Sequence, residues 1–155
     1  MGEEQTVVRF FEEAEIGDEI TPIEMVVTYA QVLQFCEIWL QGRKIRRSDF
    51  PRFTSDEAAR KEGFAGAIVP GIMSMAFLSQ LLMDWSCFAT IKKLDVIFRQ
   101  PVLQNRPLKL HGIVTDKSLD DGEGVLQADL YLDTETGERL VTGQATLTLL
   151  SKEVS

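Results

Sequence analysis

The sequence predicts an α+β fold in which a curled antiparallel sheet wraps around one buried central helix. Three observations predict it. The segment from Ile72 to Ser86 carries Ile72, Met73, Met75, Ala76, Phe77, Leu78, Leu81, Leu82, Met83 and Trp85, which leave little polar face at helical spacing. Four stretches of alternating apolar and polar residues follow it, separated by turn signals. A chain of 155 residues is long enough for one domain with a substantial core, here taken as 1–155. Each large side chain of the apolar helix gains roughly 1.5–3 kcal/mol on burial before entropy is counted. The helix is therefore expected to lie inside, covered by the sheet.

The elements follow in order. Thr6 to Phe11 reads as a first strand, Glu12 to Asp18 as an acidic turn containing Gly17, and Ile20 to Val27 as a second extended piece. Thr28 with Gln31 forms a capping-box pattern that satisfies two orphan amides at a helix start. Val32, Leu33, Phe35, Cys36, Trp39 and Leu40 then make a broad apolar face, and Gly42 is a natural stop. Arg43 to Phe53 reads as a loop. Ser55 caps a short helix whose Asp56 and Glu57 suit its positive end and whose Arg60 and Lys61 suit its negative end; Gly63 ends it. Pro70 and Gly71 lead into the apolar helix. Beyond it, Leu94, Val96 and Phe98 share one parity; so do Leu108, Leu110 and Val114; then Leu126, Ala128, Leu130 and Leu132; then Val141, Ala145, Leu147 and Leu149. Turns at Ser118 to Gly124 and Thr134 to Gly137 favour an antiparallel meander.

Composition narrows the function. The chain is 45% apolar and 26% charged, with a net charge of −8. That field disfavours nucleic acid as a main partner. No run reaches the roughly 18 apolar residues of a membrane span. The acidic opening MGEEQT does not resemble a secretory signal and fits a cytoplasmic setting. It satisfies the loose myristoylation pattern, but Glu3 and Glu4 would repel anionic lipid. Cys36 and Cys87 lack metal spacing and read as reduced, buried small hydrophobes. No metal and no separate cofactor are expected.

One local exception to the acidic charge stands out. Arg43, Lys44, Arg46, Arg47 and Arg52 cluster in the loop RKIRRSDFPRF. They read either as a solvated loop or as a patch that attracts a phosphorylated ligand, with Arg46 and Arg47 the candidate binding residues.

Several segments together carry a family resemblance. FEEAEIGDEI, DEAARKEGFAGAIVPGIMSMAFLSQLL, LDVIFRQPVLQNRPLKLHGIV and GERLVTGQATLTLL, in that order and spacing, resemble the MaoC-like acyl dehydratases, which include the (R)-specific enoyl-CoA hydratases. The resemblance spans nearly the full length. It implies a hot-dog fold and a homodimer or higher assembly. It also implies addition or removal of water at 2-enoyl or 3-hydroxyacyl thioesters, with coenzyme A or acyl carrier protein as part of the substrate. It further implies that a backbone amide at the start of the central helix, at Gly71 or Ile72, donates to the thioester carbonyl, where the helix terminus favours developing negative charge.

The sequence departs from the family at the acid–base pair. The family carries a D-x-N-P-x-H pattern just before the D-E-A-A-R-like helix. Anchored on Pro51 and on Asp56 to Arg60, the histidine position falls on Phe53, the aspartate on Ser48 and the asparagine on Phe50. A one-residue slide brings Asp49 and Thr54 to the two positions but breaks the proline match. The imidazole is missing in either frame. Asp49, Ser48, Thr54 and Asp56 are the remaining candidates for proton transfer. For Asp56 the competing reading is a helix-start carboxylate; for Asp49 it is a loop carboxylate. His111, the only histidine, reads as a residue on a sheet face or as an imidazole supplied from another strand.

Three functions follow: a divergent hydratase or dehydratase; a non-catalytic thioester-binding protein or partner subunit of a heteromeric hydratase; and, more weakly, an acyl-CoA thioesterase.

Overall fold

A computed structural model describes residues 10–44 and 46–154, with Arg47 and Val154 described in their backbone alone. The chain order is a 3-10 turn at Phe11–Glu13, β1 (Glu19–Val26), α1 (Tyr29–Leu40), 3-10 turns at Arg47–Asp49 and Pro51–Phe53, α2 (Asp56–Lys61), α3 (Gly71–Trp85), β2 (Thr90–Phe98), β3 (Pro107–Asp120), β4 (Glu123–Thr134) and β5 (Arg139–Leu149). The myristoylation pattern and most of the expected Thr6 to Phe11 strand lie outside the described residues. At the end of that expected strand, Phe11 opens a 3-10 turn instead.

The five strands form one sheet in the order β1-β3-β4-β5-β2, antiparallel throughout. The α+β class is as the sequence implies. β3 and β4 are joined by the tightest kind of hairpin. Asp121 at φ 48° and Gly122 at φ 81° form its tip, the left-handed pair that matches strand twist. One sheet face carries Leu108, Leu110, Val114, Leu126, Leu130, Leu132, Val141 and Leu147, all buried in the core that also holds the inward face of α3.

Helix starts are built as the sequence dictates. The Gln31 amide donates to Thr28 Oγ at 3.2 Å, and the Thr28 amide donates to Gln31 Oε1 at 2.9 Å. The Ala58 amide donates to Ser55 Oγ at 3.0 Å.

Two expectations are corrected. α3 is not wrapped on every side. Met73, Ser74, Leu78, Leu81, Leu82 and Trp85 are buried, while Ile72, Met75 and Met83 stay 52%, 38% and 40% exposed. The reason is geometric: an open five-stranded sheet covers one face of a helix and leaves the other bare. The second correction concerns the cysteines. Cys36 is buried in the core, but Cys87 is exposed just beyond the end of α3.

Candidate functional site

The start of α3 is held from two directions. The Val69 amide donates to Val102 O at 2.7 Å, and Ile68 bridges Leu103. The Ile68 amide also donates to Arg52 O at 3.0 Å. Buried Gln104 completes the fixation, since its Nε2 donates to Phe53 O at 3.0 Å and to Ile68 O at 2.8 Å. One amide group thus pins the loop before α2 to the lead-in of α3. A lone Gln between Leu103 and Asn105 carries no sequence signal for this.

Pro70 stands at the N-cap and supplies no side-chain cap. Its carbonyl accepts from the Met73 amide at 2.9 Å and the Ser74 amide at 3.4 Å. Among the described residues, no protein group satisfies the Gly71 or Ile72 amide. Two orphan donors at the positive end of a four-turn helix make a ready site for a carbonyl oxygen that gains negative charge.

A cleft of about 300 Å³ opens beside this terminus, lined by Phe64, Val69, Phe98, Arg99, Gln100 and Val102, with Gly71 and buried Ser74 also on its lining. The Phe98 ring lies against Gly71, where a Cβ would stand 3.0 Å from its Cζ. A side chain there would press on the Phe98 ring, which would have to give by a few tenths of an ångström. Ser74 is fully buried, and its hydroxyl has no hydrogen-bond partner. Such a buried group forgoes about 1–3 kcal/mol. Sequence reasoning passed over it inside an apolar run. Its spacing of three from Gly71 and four from Leu78 would have placed it on the inward face.

Of the candidate acid–base residues, Ser48, Asp49 and Thr54 precede α2 and Asp56 is its first residue; none of them lines the cleft. Asp49 is exposed, and its Oδ2 accepts from the Arg46 amide at 2.8 Å. Ser48 is exposed on the same turn, and so is Arg46. Thr54 Oγ donates to Pro51 O at 3.0 Å. Asp56 Oδ1 accepts from the Ala67 amide at 2.8 Å, which ties α2 to the Gly66–Ala67 bend. Phe53 is half-buried and packs on the core. Its ring ends a ladder running from Phe35 through Trp39 and Phe50, with centroid spacings of 6.3, 5.5 and 5.9 Å. Arg43 lies 5.5 Å over Trp39, and Arg52 pairs with Glu62 at 2.9 Å. Two of the five basic residues therefore have structural partners on the chain itself.

His111 stands on the opposite side of the sheet. It is paired across β3 and β4 with Tyr131, between the inward residues Leu110 and Gly112. Its Nε2 lies 2.7 Å from Asp133 Oδ2. Arg139 donates to the same carboxylate through Nε at 3.1 Å and through a terminal nitrogen at 3.2 Å, and stacks 3.7 Å over Tyr131. Burial opposes the ionisation of Asp133, but the hydrogen bonds from Arg139 and His111, with the Arg139 charge, outweigh it. They hold the carboxyl below the usual carboxylate range. The sheet separates this network from the α3 cleft, so His111 is a sheet-face residue and does not replace the missing imidazole there.

No protein-family model matches the chain. No curated protein matches it either. Solved structures do. An R-hydratase, PhaJ1 of Pseudomonas aeruginosa in unliganded form, superposes with a TM-score of 0.76 at 16% identity, over 92% of this chain and 86% of that one. A MaoC-like dehydratase of Rhodospirillum rubrum gives 0.76 at 16% identity, over 92% and 97%. The C-terminally truncated HadBC complex of Mycobacterium tuberculosis, a 3R-hydroxyacyl-ACP dehydratase, gives 0.68 at 18% identity, over 86% and 96%. The chain therefore has the hot-dog fold of the MaoC-like dehydratases and (R)-hydratases.

Proposed function

We propose that this chain is a MaoC-like hydratase or dehydratase with a divergent acid–base site, acting on 2-enoyl or 3-hydroxyacyl thioesters of coenzyme A or acyl carrier protein. One observation carries the reading. The uncapped amides of Gly71 and Ile72 open the central helix beside a cleft, in a fold shared with proteins described as hydratases and dehydratases. Those amides need no side chain, so the carbonyl site is independent of the altered dyad. Amide N–H donors held in place before reaction stabilise an enolate-like transition state without reorganisation. Asp49 is the candidate proton-transfer residue, with Ser48, Thr54 and Asp56 behind it; Arg46 and Arg47 would meet the phosphates of coenzyme A. No cofactor is invoked beyond the carrier itself. No helix among the described residues is long and apolar enough to cross a membrane, and we assign a cytoplasmic setting.

A second reading has its own observation. Phe53 fills the histidine position with a ring stacked on Phe50, and the only imidazole lies on the far side of the sheet. A thioester-binding subunit that relies on a related, His-bearing partner fits this arrangement; HadBC is itself a complex of this fold. In either case we assign a second hot-dog subunit to the bare face of α3 and the outer edge of β2. Ile72, Met75, Met83 and Phe98 are exposed there, and in the homomer the occupant is another copy of this chain.

Purified protein offered crotonyl-CoA separates the two readings, with enoyl absorbance followed for turnover and calorimetry for binding. Turnover that Asp49→Ala abolishes supports the first reading. Saturable binding without turnover supports the second. Failure to bind contradicts both.

A further inference from the structure

We infer that Ser74 is a specificity-determining residue of the α3 cleft, whose hydroxyl hydrogen-bonds an oxygen on C3 of a bound acyl group. The inference rests on the thioester reading above and refines it.

Ser74 is 0% exposed, and its Oγ has no partner. The acceptor a helical serine normally uses, the carbonyl four residues back, is Pro70 O, which already accepts from the Met73 and Ser74 amides. Phe64, Val69, Phe98 and Val102 give the cleft apolar walls, and Arg99 and Gln100 line it as well. A buried hydroxyl left unmet in such a cleft selects a ligand with a polar atom at that point, because a ligand lacking one leaves the group unsatisfied.

Position decides which ligand atom this is. Gly71 and Ser74 lie three residues apart on one face, about 4.5 Å along the helix axis. Side chains on a helix lean toward its N-terminus, and Gly71 has no Cβ to obstruct the Ser74 hydroxyl. A thioester carbonyl held by the free amides at the helix start leaves the acyl chain to run into the cleft. A hydroxyl one turn further along then meets a substituent near C3, not the carbonyl oxygen. A 3-hydroxyacyl group supplies both donor and acceptor there; an acyl group unsubstituted at C3 supplies neither.

The test compares Ser74→Ala with wild type by calorimetry, using (R)- and (S)-3-hydroxybutyryl-CoA and, as control, butyryl-CoA. The control shares the carbonyl and lacks the hydroxyl. The substitution should weaken binding of at least one 3-hydroxy enantiomer about tenfold and leave butyryl-CoA binding unchanged. Equal weakening of all three ligands, or no weakening, overturns the role of Ser74 while leaving the thioester site standing. If wild type binds none of them, the thioester reading fails and this inference with it. The Tm of the free Ser74→Ala protein should hold or rise; a fall shows that the hydroxyl has a partner inside the fold and also overturns the assignment.

Discussion

Asp133 shows how single residues in this protein trade burial against pairing. It is 6% exposed, yet accepts two hydrogen bonds from Arg139 and faces His111 at 2.7 Å. Because those partners hold its folded carboxyl below the usual range, the network adds stability above the ordinary carboxylate pKa. That contribution is lost as pH falls through the lowered folded value. Asp133→Asn should cost about 1–3 kcal/mol near neutrality, and the gap between variant and wild type should close on acidification in urea titrations. A gap that stays constant to low pH would show that the carboxylate charge contributes nothing. Ser74 is the converse case, a buried hydroxyl with no partner, placed where a ligand can supply one.

At the scale of elements, local chemistry wrote much of the structure into the sequence. Thr28 with Gln31, Ser55 with Ala58, and the Asp121–Gly122 hairpin each act within a few residues, so a linear pattern is enough to find them. The bare face of α3 was not legible. An apolar helix reads the same whether a sheet or another subunit covers it, and the distinction depends on how many strands close over it. Gln104 was hidden for a related reason: its partners, Phe53 and Ile68, are distant in sequence. The exposed stripe on α3 and the outer edge of β2, unpaired among the described residues, lead to a prediction. Met75, 38% exposed, is central to that stripe. Met75→Lys should leave the circular dichroism spectrum unchanged and convert the protein from dimer to monomer in sedimentation velocity, since a charge in an apolar interface lacks a partner. Wild-type protein that sediments as a monomer at all concentrations would contradict the assignment of a second copy to this face.

For the molecule as a whole, the sheet and helix follow the resemblance carried by the sequence, while the chemistry divides into a part that persists and a part that does not. Order and spacing of four segments implied the hot-dog arrangement, and the solved structures share it at TM-scores up to 0.76. The resemblance placed the proposed carbonyl site at the Pro70–Gly71 helix start, and the structure leaves that start without a side-chain cap. The acid–base site was legible only as a departure. The resemblance, anchored on Pro51, puts Phe53 and Ser48 at the histidine and aspartate positions, and a one-residue slide puts Thr54 and Asp49 there; in three dimensions Phe53 belongs to an aromatic ladder while Asp49 and Asp56 accept from backbone amides. The central claim is that the amides of Gly71 and Ile72 polarise a thioester carbonyl. Isotope-edited infrared spectroscopy of crotonyl-CoA labelled at the carbonyl carbon tests it most directly. Binding should move the carbonyl stretch below its frequency in water, as two charge-stabilising donors weaken the C=O bond. A band that stays in place, or shifts upward as in plain apolar surroundings, would contradict the claim.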